Sequence, residues 1–157
     1  MNEEVTHLVV NFCPWLRTGS LLLRIGAAEH ARRLTELHLS HLNLDRVPPA
    51  VTSLRMMTSL DVSHNNIEQL PERLGRLSNL RRLDMSSNLT LKFLDGIGVL
   101  TWLESLDASG NALDELEEEL TSLHWLQHLD LSDNNLRNLP DDFGQLRFVL
   151  DYVTATK

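Results

Sequence analysis

The chain has 157 residues, 42% of them apolar, and a formal net charge of -8, which suits one domain or slightly more with ample material for a core. No stretch is apolar for long enough to span a bilayer, and an acidic chain without a basic run disfavours nucleic acid and acidic surfaces while allowing a basic protein partner. The start, Met1-Asn2-Glu3-Glu4, has neither the positive charge of a signal peptide nor the glycine of a myristoylation site, and the single Cys13 excludes an internal disulfide, so the expectation is a cytoplasmic protein.

Residues 1–33 do not share the spacing of residues 34–148. Residues 8–10 and 12–16 are apolar enough to be buried, with Cys13 as a small apolar member. Residues 21–33 hold good helix formers after Thr18, Gly19 and Ser20, with Ser20 as N-cap. A cap over the end of a repeat array is the expected role, because a bare array end shows leucines to water. The alternative is a separate binding helix.

From residue 34 the chain repeats every 23 residues. Leu37, Leu60, Leu83, Leu106 and Leu129 form one track, and Leu39, Val62, Met85, Ala108 and Leu131 another. Such a period means stacked supersecondary units. The alternating Leu-x-Leu segment reads as a short strand with leucines inward. Later spacings of three and four, as in Leu70, Leu74 and Leu77, suit a helical or 3₁₀ turn on the opposite side. Asn65, Asn88, Asn111 and Asn134 recur where the chain must turn, and their side chains can serve backbone groups left unpaired there.

Departures from the pattern mark special places. The first copy has Leu42 where Asn belongs, as befits the end of a stack. The third carries an extra residue at Leu89-Thr90-Leu91, which demands a bulged loop. Asp95 and Glu117 replace the prolines seen at Pro48, Pro71 and Pro140, so their outer segments are expected to differ. Residues 148–153 fall in register with a further strand, leaving an uncapped edge through which copies could associate.

Read from Met57, the unit is Met57, Leu60, Val62, Asn65, Ile67, Leu70, Pro71, Leu74 and Leu77. It resembles the leucine-rich repeat family, with its L-x-x-L-x-L-x-x-N-x-L pattern followed by L-P-x-x-L, and most closely the intracellular Ras-suppressor type. The resemblance implies an α/β solenoid: a curved parallel sheet, short outer helices or turns, and an N-terminal cap. It divides the chain into a cap at 1–33, five repeats at 34–148 and a partial sixth at 149–157. It makes the asparagines a buried ladder. It also implies a non-catalytic scaffold or adaptor without cofactor. Alternatives are a regulatory subunit of a phosphatase or dynein motor, and a metal-binding protein using His38, His41 and His64.

Register also places the candidate contact residues. Outward strand positions carry His38, Asp61, Asp84, Asp107 and Asp130, preceded by Glu36, Ser59, Arg82, Ser105 and His128. Four aspartates in consecutive copies, roughly 5 Å apart, make either an anionic groove for a basic partner or a family consensus in which each Asp is solvated or bonded to the nearby Ser. Trp102 and Trp125 occupy a rim track with Met56, Asn79 and Phe148; they are expected either as a contact site or as packing over the outer loops. Glu115 and residues 117–119 read as a solvated acidic face. The set Asp61, Ser63 and His64 imitates a hydrolase triad, but no nucleophile elbow accompanies it and the repeat explains its Asp and Ser. His41 and His64 share one repeat position and are expected side by side.

Overall fold

The computed structural model describes residues 6–9 and 33–146. The expectations for Cys13, residues 12–16, the helix at 21–33 with its Ser20 cap, and the strand at 148–153 lie outside them. Six three-residue strands, β1 (His7–Val9), β2 (Glu36–His38), β3 (Ser59–Asp61), β4 (Arg82–Asp84), β5 (Ser105–Asp107) and β6 (His128–Asp130), form one parallel sheet in chain order. From β2 onward the paired residues are one period apart, as in Leu37↔Leu60 and Leu60↔Leu83. The central leucine of each of these strands is at most 3% exposed. A fully buried leucine gains about 1.5–3 kcal/mol over an exposed one, and here that gain comes only from neighbouring copies, so the stack holds together as a unit.

Outside the sheet the chain returns through 3₁₀ turns of three to five residues, such as Pro49–Ser53 and Leu74–Arg76. Strands repeat every ~4.8 Å while the outer turns are bulkier, so the solenoid bends with its sheet on the concave side. The expected difference between Pro and non-Pro copies is not the one observed. Glu117 takes φ -71° and ψ 146°, close to the -54° and 146° of Pro140, and both lead into five-residue turns. An extended backbone at this point is what the turn requires, and Glu can supply it without the ring. The third copy does differ: Gly96, with φ 77°, opens its turn.

The asparagines form the expected ladder, with Asn65, Asn88 and Asn111 buried and Asn134 half-buried. Asn65 accepts from the backbone N–H of Leu42 and Leu44 and donates to the carbonyls of Leu39 and Val62, at 2.8–3.0 Å. Asn88 accepts from Ile67 N–H at 2.9 Å and donates to Met85 O at 2.8 Å. The extra residue of the third copy bulges as expected, with Leu89 75% exposed while Leu91 returns to the core.

The N-terminal end brings a correction. Rather than being buried throughout, residues 7–9 form β1, paired with β2 through Leu8↔Leu37. Leu8 packs against the core, but Val9 is 58% exposed. Successive strand residues face opposite ways, so only one of the two can reach the core. β1 continues the sheet beyond the first repeat and covers the edge of β2.

Candidate functional site

The concave face is built from the strand positions flanking each buried leucine: Glu36 and His38, Ser59 and Asp61, Arg82 and Asp84, Ser105 and Asp107, His128 and Asp130. The register brings His38, Asp61, Asp84, Asp107 and Asp130 into one row. Each aspartate spends one oxygen on the chain just after its strand. Asp61, Asp84 and Asp107 accept from both the N–H and the hydroxyl of the serine two residues on, the hydroxyl bonds all being 2.7 Å. Asp130 accepts from Ser132 N–H at 2.9 Å. Of the two readings of the row, bonding to serine is therefore present, and it consumes only half of each carboxylate.

The second oxygens differ along the row. Asp61 Oδ2 lies 3.2 Å from His38 Nδ1. Burial alone would raise the Asp61 carboxyl, but the Ser63 bonds and His38 together hold it below the usual carboxylate value. Asp84 has the same serine bonds, yet burial, reinforced by the charges of Asp107 and Asp61, pushes it up. No described residue hydrogen-bonds the second oxygen of Asp84, Asp107 or Asp130. Negative potential therefore accumulates on the C-terminal strands of the face. Arg82 and His128 lie exposed among these carboxylates.

At the start of the same strands runs the rim. Trp102 and Trp125 are 48% and 55% exposed, and Met56 on the same track is 54% exposed. The indoles stack with centroids 5.5 Å apart and planes 21° from parallel. They meet across adjacent copies. Sequence reasoning missed Arg81, whose guanidinium lies 5.1 Å from the Trp102 ring centroid. Alternation along the strand singles out the neighbouring Arg82, which points outward; Arg81 matters because its length lets it reach the next copy.

Other candidates resolve differently. His41 and His64 do sit side by side, rings 4.3 Å apart and 9° from parallel. Both have φ above 50°, so they stand on left-handed turns rather than on the strand. Ser63 and His64 likewise lie past the end of β3, so Asp61, Ser63 and His64 do not share one strand. Ser63 is buried and its hydroxyl donates to Asp61. Within the acidic run, Glu117 is not solvated: both carboxylate oxygens are buried. Burial and the charge of Asp95 push it up. Its Pro-like backbone directs the side chain toward the preceding copy, which neither composition nor period announces. On the outer side, the bulge of the third copy borders a cleft of about 1110 Å³ lined in part by Leu70, Leu89, Phe93 and Val99.

Comparison with known proteins places this geometry. Residues 32–90 match a family model described as leucine rich repeat, and residues 101–145 match one described as leucine rich repeats (2 copies). No curated protein matches the chain. Among solved structures, a leucine-rich repeat protein of Leptospira interrogans is 26% identical with a TM-score of 0.59, over 86% of this chain and 39% of that one. The plant peptide hormone receptor RGFR1, solved in complex with RGF2, is 31% identical with a TM-score of 0.66, over 78% and 20%. The functional domain of InlJ from Listeria monocytogenes, at 23% identity and TM-score 0.61 over 70% and 23%, shares the fold. The chain thus spans well under half the length of each of these proteins.

Proposed function

Because this chain belongs to the leucine-rich repeat family, whose members generally serve as protein-interaction modules, we propose that it is a non-catalytic scaffold or adaptor. It binds a protein partner across the concave face and the adjoining rim. The observation that carries this reading is the exposed, stacked Trp102–Trp125 pair at one end of the strands that bear the Asp row. Large aromatic surface left open to water is enriched at binding hot spots. The partner's contacting surface is basic: the half-used carboxylates of Asp84, Asp107 and Asp130 attract it, and Asp84 already sits under the repulsion of its neighbours. His38, Asp61, Arg82 and His128 flank that contact. The receptor solved with its peptide shows that a relative of this fold takes a polypeptide ligand, and the L-P-x-x-L pattern supports the intracellular adaptor type.

Affinity capture from source-cell lysate with the wild-type chain, beside a Trp102→Ala/Trp125→Ala variant matched for folding by circular dichroism, tests this. A protein retained by the wild type and lost by the variant supports the reading. A binding partner indifferent to both indoles would place the contact elsewhere.

A further inference from the structure

We infer that Arg81 is a positioning residue that locks the two indoles into a rigid column, and that the partner therefore meets Trp102 at its edge, with a neutral aromatic or apolar side chain rather than with a cation. The inference rests on the recognition role proposed for the rim. The strand order β4-β5-β6 puts Arg81 on one side of Trp102 and Trp125 on the other. The guanidinium lies over the Trp102 ring at 5.1 Å, and Trp125 stacks at 5.5 Å. Both faces of Trp102 are thus occupied within the molecule. What it offers is its edge, where the indole quadrupole is positive. An edge attracts the face of another ring or an apolar side chain and repels a cation, so a cation is disfavoured at Trp102.

Arg81 is itself held. Its Nη1 donates to the Trp102 backbone carbonyl at 3.1 Å, and its Nε lies 3.5 Å from Glu104 Oε1 on the next copy. A planar guanidinium can stack and donate in two directions together; an ammonium cannot. The arrangement stands before any partner arrives, so the ordering of two large side chains need not be supplied on binding.

The test needs no partner. Stacked indoles give an exciton couplet in far-ultraviolet circular dichroism, and Trp125→Phe identifies the couplet by removing it. In Arg81→Ala the couplet is expected to fall by more than half while the melting temperature stays that of the wild type. Arg81→Lys is expected to keep part of it, and carries the comparison if Arg81→Ala melts early. Collisional quenching supplies the second readout: Arg81→Ala should lower quenching of indole fluorescence by iodide and raise it by caesium. An undiminished couplet in both Arg81 variants, or unchanged quenching by both ions, would overturn the inference. A positive result with no partner lost from Trp102→Ala/Trp125→Ala would leave Arg81 in place and remove the recognition role.

Discussion

The turn after each strand and the rim before it repeat with the same period, yet the molecule uses them in opposite ways. In the turn, Asn65, Asn88 and Asn111 are buried and spend their side chains on backbone groups of their own and the preceding copy. On the rim, Met56, Trp102 and Trp125 are large, apolar and about half exposed. Periodicity alone therefore does not separate scaffold from surface. What separates them is satisfaction: the side-chain oxygen and nitrogen of each of these asparagines are bonded within the fold, whereas the indoles hold apolar area that the fold does not cover.

The contrast breaks most severely at Asn88. Asn88→Ala removes the acceptor for the buried Ile67 N–H and the donor to Met85 O. An orphaned buried group costs about 1–3 kcal/mol; with two such groups and a small void, urea unfolding should show a loss of about 3 kcal/mol. The double variant Trp102→Ala/Trp125→Ala should do the reverse. Its unfolding free energy should stay within about 1 kcal/mol of the wild type, while binding to a captured partner weakens by about 2 kcal/mol or more.

A finer contrast runs along the Asp row, where Asp61 and Asp84 share serine bonds but only Asp61 has a histidine. Asp61 is held low, so its ionised form contributes stability above the unfolded value, lost as pH falls through the folded one. Asp84 is raised, so its contribution is present only below the unfolded value and fades as pH rises through the folded one. At pH 7, Asp61→Asn should destabilise and Asp84→Asn should stabilise, each by less than about 1 kcal/mol. Paired denaturation curves at pH 7 and pH 3 would show it, with the two variants converging at the lower pH. In binding, Asp107→Asn should weaken the complex by less than about 1 kcal/mol, and less at high salt than at low. The smallest effect belongs to His41→Ala/His64→Ala, where a surface ring stack is removed and stability should move by about 0.5 kcal/mol or less.

Much of the fold was legible because the repeat is regular. The 23-residue spacing carried the register of β2 to β6, the asparagine ladder, the bulge at Leu89 and the rim track. The parts that escaped depend on reach or on a broken period. β1 pairs at an offset of 29 residues, as in Thr35 against Thr6, so no leucine track extends to it. Arg81 acts through a long side chain that crosses to the next copy, and strand alternation carries no sign of that. Glu117 looked like one member of an acidic run, and only its extended backbone turns it inward. Whether the aspartates were solvated or bonded to serine could not be decided from a Leu-Asp-Leu-Ser pattern, since both arrangements share it.

The central claim is that the chain recognises a protein through the rim and the concave face. Quantitative affinity capture with mass spectrometry, comparing the wild type with Trp102→Ala/Trp125→Ala at matched melting temperature, tests it most directly. At least one protein is expected to be enriched on the wild type and reduced to background on the variant. Retention of that protein at wild-type levels by the double variant would contradict the claim.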